Sequence, residues 1–440
     1  MKRRFGLFLI LIALSFFSSS LRANLDRINA SNGFSVHNIN TGLGYPTIQS
    51  AIDADQTLDG HTILVGEGTY YEHVVVNKSM LLIGQNRSTT IIDGNSTGAV
   101  VLVTAHNATV KGLSVRNGET GISVDHSNDS SVDENNVFQN VDGIDVIYSN
   151  NCTIHRNIVE NNTQRGILIS NSRNFTVSDN SVFLSGWYGI NSNASANGVI
   201  LANVIRESYF DGIGLLQTDG CIVAENNVNK SSIFGIWIES SNNVVIYHNN
   251  FVSNNIQASV STSACLWDND AEGNYWSDYT GVDHNGIGDN PLAIDGNNTD
   301  HYPLMGLFCN FDTSLGFNVP VVSNSTIDSF AFFESNSSIK MHVSNTTSKQ
   351  TWGFCRLTIS HGLLHPPYNV TVNGYSVAFN GVYENGTLST IYFSYEHSTL
   401  EITIVPEFGF LFLLFSFTAS TLIVAVLHKR RHLHWPGVFT

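Results

Sequence analysis

A Gly-Ile pair recurs six times through the middle of the chain at nearly constant spacing. The pairs begin at Gly121, Gly143, Gly166, Gly189, Gly212 and Gly235, in steps of 22, 23, 23, 23 and 23 residues. Fourteen residues after each glycine lies an asparagine, and apolar residues stand eleven and sixteen residues after it. The asparagines are Asn135, Asn157, Asn180, Asn203, Asn226 and Asn249. Several columns that stay in phase over six repeats indicate a solenoid.

Each repeat has the composition of short strands joined by turns. Runs of alternating apolar and polar residues, such as 166–169 and 176–178, are separated by Asn, Ser and Asp. No repeat contains the long helical pattern that a β-α-β connection needs. Successive coils would lie about 4.8 Å apart, with asparagine above asparagine and valine above valine. Because parallel crossover connections are right-handed, the sequence predicts an all-β fold built on a right-handed parallel β-helix of 22–23 residues per coil.

The chain has five cysteines, an odd number that leaves at least one as a free thiol or with an intermolecular partner, and no C-x-x-C occurs to indicate a zinc or redox motif. Cys152 and Cys221 share one column three coils apart, a separation of roughly 14 Å that no disulfide can bridge. They are predicted to be small apolar core residues.

The flanking regions complete the predicted organisation. Residues 47–52 suit a short amphipathic helix over the first coil, and 273–279 end the periodic region, so the β-helix with its caps is expected at 45–305. Residues 311–405 contain alternating runs separated by turns such as Asn373-Gly374, which predicts a small β-sandwich.

Both ends of the chain carry membrane-targeting patterns. Residues 1–23 resemble a secretory signal peptide, with an uncleaved anchor as the alternative. Residues 408–427 have the length of a transmembrane helix and precede a basic cluster, so 428–440 is predicted to be a cytoplasmic tail. The body is therefore expected outside the cell, tethered to the membrane. Acceptor triplets such as Asn107-Ala108-Thr109 and Asn174-Phe175-Thr176 agree with that location.

The charge balance limits the partners. The formal net charge is −16 and only 13% of the residues are charged, which argues against nucleic-acid binding. A polysaccharide or cell-wall glycan is the partner that the outward columns favour.

Two outward columns flank the repeated glycines and suggest a sugar-binding groove. Its predicted members are Asp142, Arg165, Tyr188, Asp211 and Trp237, with the aromatic residues as stacking platforms. Asp142, Asp145 and Asp211 are the candidate catalytic carboxylates, because acid–base cleavage of a glycosidic bond needs a carboxyl pair. Asp142 and Asp211 are three coils apart, too far for one cleavage centre. Ordinary solvated turns are the simpler interpretation of all these positions.

An acidic stretch after the repeats is the candidate metal site. Its possible ligands for a structural Ca²⁺ are Asp278, Asp283, Asn285, Asp289 and Asp295, with Asp300 in the same cluster. A cap rich in Asx turns, without metal, is the alternative.

Residues 45–305 resemble the NosD-like family of carbohydrate-binding and sugar-hydrolase β-helices. The resemblance rests on Tyr45-Pro46-Thr47-Ile48-Gln49, on Gly273-Asn274-Tyr275-Trp276-Ser277-Asp278-Tyr279 and on Gly286-Ile287-Gly288-Asp289-Asn290-Pro291. It implies the fold and a surface location, but not a substrate. The family's name refers to copper, yet the histidines share no column, so copper delivery is not predicted.

Two further resemblances concern the C-terminal part. Residues 353–355 and 395–399 resemble a β-sandwich appended to archaeal members of that family. Pro406-Glu407-Phe408 resembles the PEF-CTERM sorting signal of archaeal surface proteins. The leading hypothesis is thus a membrane-anchored surface protein that binds glycans or has a structural role in the envelope. The alternative is a polysaccharide lyase or glycoside hydrolase acting on the β-helix flank.

Overall fold

The computed structural model describes residues 35–407. The predicted signal peptide (1–23), membrane span (408–427) and tail (428–440) lie outside these residues, as does Phe408 of the sorting-signal resemblance. Within 35–407, no helix combines the length and the apolar character needed to span a membrane. The chain divides between Phe308 and Cys309 into two compact units.

The first unit is a parallel β-helix of the right-handed type with about nine turns, made of three sheets. The first sheet contains, in stacking order, Leu43–Tyr45, Val36–Asn38, Thr62–Val65, Leu81–Gly84, Thr109–Lys111, Ser131–Asp133, Thr153–His155, Thr176–Ser178, Val199–Leu201, Ile222–Ala224 and Val245–Tyr247. Its first two strands pair antiparallel and begin before residue 45, the predicted start of the β-helix.

The other two sheets complete each coil. The second sheet contains Gly68–Tyr70, Thr90–Asp93, Ser114–Arg116, Asn136–Phe138, Ile158–Glu160, Ser181–Phe183, Val204–Arg206, Asn227–Asn229, Asn250–Val252 and Tyr275–Trp276. The third sheet contains Val74–Val76, Ala99–Val103, Thr120–Asp125, Asp142–Ile147, Ile167–Ser170, Ile190–Asn193, Ile213–Leu216, Phe234–Glu239 and Ile256–Ser261.

The predicted register of the repeats is confirmed. The isoleucine of each Gly-Ile pair is paired with that of the next coil, from Ile122 through Ile144 and onward to Ile236. These isoleucines are fully buried, as are the apolar residues of the other inward columns. The core is therefore a stack of matching side chains, and burial of this apolar column is the main stabilising term.

The asparagine column forms a continuous hydrogen-bonded ladder. Asn135 donates from both its backbone N and its Nδ2 to Oδ1 of Asn157, at 2.9 and 3.1 Å. The same pair of bonds, all between 2.9 and 3.1 Å, repeats down the column to Asn274. Because each amide satisfies its neighbour, a buried polar row costs little free energy.

The two column-sharing cysteines are buried, as the sequence predicted. Cys152 and Cys221 are free thiols, and Phe175 and Gly198 occupy the two coils between them. A Cβ on Gly198 would overlap the Phe175 ring, so the glycine leaves the space that the phenylalanine fills. Burial raises the pKa of each thiol to about 11, which keeps it protonated.

The N-terminal cap of the β-helix is held by charged side chains. The helix Ile48–Asp53 receives the Glu72 carboxylate at the backbone N–H groups of its first two residues, each at 3.1 Å. Lys78 Nζ donates at its other end to the carbonyl oxygens of Ile52, Ala54 and Thr57. The predicted capping helix is therefore present, with Ile48, Ala51 and Ile52 buried against the first coils.

At the far end, Asp300 terminates the asparagine ladder. Its carboxylate accepts hydrogen bonds from the backbone N of Asn274 at 2.8 Å and from Trp276 Nε1 at 2.8 Å. A Cβ on Gly273 would overlap this carboxylate. Two small antiparallel hairpins follow the last coil, formed by Asp283–His284 with Ile287–Gly288 and by Leu292–Ala293 with Thr299–Asp300.

The second unit consists of two five-stranded antiparallel sheets and a 3₁₀ turn at Glu334–Asn336. One sheet contains Asn318–Ser323, Trp352–Ser360, Leu388–Glu396 and Asn380–Glu384, together with the strand Leu307–Asp312, which belongs to this unit from Cys309 onward. The other contains Thr326–Phe333, Ser338–Ser344, Leu400–Pro406, Tyr368–Val372 and Tyr375–Ser376. Buried side chains from both sheets, such as Leu357 and Met341, form one hydrophobic cluster.

Candidate functional site

The outer side of the third sheet collects most of the residues that the sequence singled out. We define the third-sheet face as the outward side chains of that sheet together with the column that precedes each repeated glycine. In that column Asp142, Arg165, Tyr188 and Asp211 follow one another coil by coil, with Asp145 and Trp237 on the adjoining column.

Asp142 and Arg165 form a closed ion pair on this face. Arg165 donates from Nε to Oδ1 and from Nη2 to Oδ2 of Asp142, both at 2.9 Å. The backbone N of Arg165 donates to the same Oδ1 at 3.1 Å. Such a bidentate pair fixes both side chains, and Asp142 is only 8% exposed. Its carboxylate is therefore occupied by the arginine.

Asp145 lies beside this pair and is shielded from solvent. It is 6% exposed, and its Oδ1 is buried without a hydrogen-bond partner. Its Oδ2 accepts a long hydrogen bond, 3.4 Å, from Thr120. Burial, and secondly the charge of Asp142, raise the pKa of Asp145 to about 7, against an opposing effect of Arg165. Close to neutral pH the group is thus part carboxylic acid and part carboxylate.

Tyr188 and Trp237 form the aromatic part of the face. Their rings are nearly parallel, with an interplanar angle of 7° and centroids 6.3 Å apart. Gly214 lies between them, and a Cβ there would be 2.9 Å from the Tyr188 ring. The absence of a side chain at Gly214 therefore lets the tyrosine lean toward the tryptophan. Both rings are half-buried, so each keeps part of its surface in solvent.

Asp211 lies at the edge of this aromatic pair. It is 3% exposed and accepts a hydrogen bond from the backbone N of Phe234 at 3.1 Å. Burial raises its pKa to about 6. Burial, followed by the charges of Asp211 and Glu239, also raises the pKa of Tyr188. The environment of the aromatic pair is therefore acidic.

The predicted site residues fall into two groups. Asp142, Asp145 and Arg165 form one group, and Tyr188, Asp211 and Trp237 form the other. The separation of Asp142 from Asp211 by three coils, inferred from their spacing, holds in the register of the strands. Each of the three carboxylates is buried.

An exposed apolar corner that was not predicted from the sequence lies next to this face. Trp187, Tyr209 and Phe210 are 44%, 67% and 39% exposed, and Phe210 packs edge-to-face against both others, at centroid distances of 6.5 and 5.6 Å. We call these three residues the aromatic corner. Trp187 immediately precedes Tyr188, so the corner and the third-sheet face adjoin.

A signal for the corner was present in the sequence. The position two residues before each glycine holds Val141, Trp187, Phe210 and Ile233 in four of the coils. An apolar column at a turn, where side chains point away from the core, indicates a surface with a purpose other than packing.

The acidic stretch supplies turn caps in this structure. Asp283 Oδ1 accepts from the backbone N of Gly286 at 2.5 Å, and Asp289 Oδ1 accepts from Val282 N at 2.8 Å. Asp295 similarly accepts from Asn297 N at 2.7 Å. Within residues 35–407, no three His, Cys, Asp or Glu side chains are grouped as a metal site would require. Calcium binding by Asp278, Asp283, Asn285, Asp289 and Asp295 stays a prediction. The Asx-turn alternative accounts for the contacts of Asp283 and Asp295, whereas Asp289 bonds to the backbone of Val282, seven residues earlier.

The sequence matches the model of a known family over most of the β-helix. Residues 65–281 match the NosD family, described as periplasmic copper-binding protein. The expected resemblance to this parallel β-helix family is therefore confirmed. A stretch of 165 residues is 30% identical to a cell surface glycoprotein of Methanothermus fervidus. That match covers 35% of this chain and 28% of the relative, so the chain spans well under half of the relative's length.

Solved structures with a similar fold are distant. The enzymatically active domain of tailspike protein 2 of bacteriophage CBA120 is 11% identical with a TM-score of 0.47, over 85% of this chain and 79% of that one. PfbA, a surface adhesin of Streptococcus pneumoniae, is 13% identical with a TM-score of 0.41, over 59% and 79% of the two chains. Likenesses this weak carry no argument about activity.

The copper chemistry in the family's description does not fit the residues described. Copper ions prefer imidazole, thiolate and thioether ligands. Three thiols, Cys152, Cys221 and Cys265, are buried with pKa values raised to about 11 or 12 by burial. The part of the chain that the structure covers holds no group of three His, Cys, Asp or Glu side chains that could bind a metal ion. His155 is hydrogen-bonded to the carboxylate of Asp133, and this bond is the chief reason that its pKa is raised to about 9. Its imidazole is therefore already engaged by a carboxylate.

Proposed function

We propose that this protein is a cell-surface glycan-binding protein that recognises its ligand along the third-sheet face and the aromatic corner. The observation that carries the proposal is the parallel Tyr188–Trp237 pair, which adjoins the exposed rings of Trp187, Tyr209 and Phe210. Flat aromatic surfaces suit the apolar C–H faces of sugar rings, while the surrounding polar groups suit their hydroxyls.

The extracellular location is supported by the related cell surface glycoprotein and by the periplasmic family. Anchoring through residues 408–427 is part of the same proposal, on the grounds of their apolar sequence alone. A rigid solenoid held at the surface would present successive coils to successive sugar units.

The charge of the face favours an uncharged glycan. Asp211 and Glu239 lie close enough to Tyr188 to raise its pKa, and Arg165 is already paired with Asp142. A polyuronate would bring further negative charge to this surface, where the arginine named above is already paired with a carboxylate. We therefore propose neutral polysaccharides as the ligand class.

Binding can be tested by applying the purified full chain to an array of neutral and uronic-acid polysaccharides. We expect retention on neutral glycans, and about fivefold weaker binding for Trp237→Ala and for Trp187→Ala, since a lost stacking contact is worth roughly 1 kcal/mol. Tyr375→Ala removes an aromatic ring that is 80% exposed in the second unit and serves as the matched control. Equal binding by all variants, or a preference for uronates, would refute the proposal.

One observation favours the enzymatic alternative. The pKa of Asp145 lies near 7, as a general acid of a polysaccharide lyase or hydrolase requires. Against this, Asp145 is buried, and Asp142 is held by Arg165. Formation of new reducing ends or unsaturated uronate absorbance that Asp145→Asn abolishes, with binding retained, would establish the enzyme in place of the binding protein.

A further inference from the structure

The turn that leads into the first sheet repeats one conformation in seven successive coils. Its central residue has a positive φ, between 55° and 66°, and its backbone N donates to a carbonyl of the next coil in six of the seven coils. The seven residues are Asn107, Asp129, Asn151, Asn174, Asn197, Gly220 and Asn243. Asparagine tolerates this left-handed backbone conformation better than most residues do. The five asparagines are all exposed.

Three of these asparagines begin an acceptor triplet whose two functional side chains face outward. In Asn107-Ala108-Thr109, Asn151-Cys152-Thr153 and Asn174-Phe175-Thr176 the middle residue is buried. The threonine starts a strand of the first sheet and is half-exposed. Their register aligns the three threonines on one row, with Ser131 in the coil between Thr109 and Thr153. We call these three triplets the sequon edge.

We propose that the sequon edge is a site of N-linked glycosylation. Nδ2 of each asparagine would attack the anomeric carbon of an oligosaccharide carried on a polyisoprenyl phosphate or diphosphate, presented by a transferase. The new bond is N–C1, the bond that breaks is C1–O, the lipid phosphate leaves with the electron pair, and a base of the transferase takes one Nδ2 proton. The proposal depends on the extracellular location, but not on the glycan-binding activity.

The contacts within the edge are compatible with the modified amide. Asn174 Nδ2 donates to Asn151 Oδ1 at 3.1 Å, and Asn151 Nδ2 donates to Asp129 Oδ1 at 3.0 Å. Each contact uses one of the two N–H bonds, so the other is available for substitution. A glycosylated asparagine therefore keeps the hydrogen that links neighbouring coils.

Three other triplets of the β-helix end in a buried serine and act as internal comparisons. Asn128, Asn193 and Asn229 precede Ser130, Ser195 and Ser231, whose side chains are buried. Asn197 and Asn243 have the positive φ of the edge and are exposed, but the third residue is Val199 or Val245. The same turn thus occurs with and without the hydroxyl.

The test is glycopeptide mass spectrometry on the full chain secreted by a host that N-glycosylates its surface proteins. We expect glycopeptides at Asn107, Asn151 and Asn174 and none at Asn128, Asn193 and Asn229. Asn151→Gln should remove one site, and Val199→Thr should create a new one at Asn197. Retained melting temperatures verify that both variants fold, and a co-secreted reporter glycoprotein verifies the host's activity.

Bare asparagines at all three positions beside a modified reporter would overturn the proposal, and would leave the edge with a structural role only. Equal occupancy of the triplets with buried serines would overturn it as well, since exposure would then not decide the modification. Glycan-array binding is measured separately, so a failure of the proposed ligand recognition is distinguishable from either result.

Discussion

At the scale of single residues, the asparagine ladder shows how a buried polar side chain can stabilise a core. Asn180 accepts at Oδ1 from the backbone N and the Nδ2 of Asn157, and donates from Nδ2 to Asn203 and to the carbonyl oxygen of Ile154. All of its polar atoms are satisfied in an environment that excludes water. The side-chain amide therefore stabilises the β-helix in the way that a paired backbone group does. The column of amides forms a hydrogen-bonded ladder that runs parallel to the ladders between the strands.

Replacing Asn180 with alanine should destabilise the β-helix. The backbone N of Asn157 and the carbonyl of Ile154 would lose buried partners, so we expect a loss of about 2–3 kcal/mol in unfolding free energy. Thermal or urea unfolding followed by circular dichroism measures the effect, with Asn255→Ala at an exposed position as the control. A change within 0.5 kcal/mol, as is usual for surface substitutions, would contradict the structural role of the ladder.

The buried carboxyl of Asp145 should make stability depend on pH. Its native pKa, about 7, lies above the ordinary value of aspartic acid, so the native state holds the proton more tightly than the unfolded chain does. The contribution of this group to stability is therefore present below about pH 4 and is lost as the pH rises through 7. Asp145→Asn keeps the shape and removes the titration.

We expect Asp145→Asn to flatten the decline in stability between pH 4 and 7. At pH 8 the variant should have a free energy of unfolding higher by an amount on the order of a few kcal/mol, and therefore a higher melting temperature. Melting curves across this pH range compare it with the native chain and with Asp55→Asn, an exposed control. Parallel pH profiles for all three proteins would show that Asp145 does not titrate as argued.

The extent to which the site could be predicted also differs from residue to residue. Tyr188 and Trp237 were identified because the glycine register places them on an outward face. The burial of Asp142, Asp145 and Asp211 was not predicted, because it depends on how Arg165 and the neighbouring side chains fold over them. Column position fixes the direction of a side chain, but not what covers it.

At the scale of the element, the pairing of Phe175 with Gly198 illustrates how a column tolerates unequal side chains. The ring of Phe175 occupies the volume that a side chain at position 198 would take in the next coil. Core density is thereby kept while the strand register is unchanged. The repeat shows which positions face the core, so the coils could be predicted. It does not show how a large and a small side chain in neighbouring coils share one space, so this local compensation could not.

Gly198→Ala should destabilise by about 1–3 kcal/mol, because the added methyl overlaps the Phe175 ring. Phe175→Leu in the same chain makes room for it, so the double variant should recover part of the loss beyond the sum of the single effects. A double-mutant cycle of unfolding free energies measures this coupling. Additive single effects would show that the two residues do not share one space. Gly381→Ala, where nothing lies within 4 Å of the added Cβ, is the matched control.

At the scale of the whole molecule, the repeat determined the fold more reliably than any motif. Each coil of a solenoid contacts mainly the coils next to it, so residues one sequence period apart lie side by side in space. The pairing of Ile144 with Ile167 followed directly from the period. The second unit has no such period. Its strands were predicted from alternation and turn residues, but the order of strands in its two sheets depends on long-range pairing that local sequence does not specify.

The separate hydrophobic clusters of the two units predict independent local stability. Ile200 is fully buried in the cluster of the β-helix, and Met341 is fully buried in that of the second unit. Truncation of either to alanine should cost about 2–5 kcal/mol in its own unit, because a cavity forms where the side chain was. Hydrogen exchange followed by mass spectrometry should then show faster exchange only in peptides of the altered unit. Faster exchange in both units of either variant would mean that the two clusters unfold as one cooperative body.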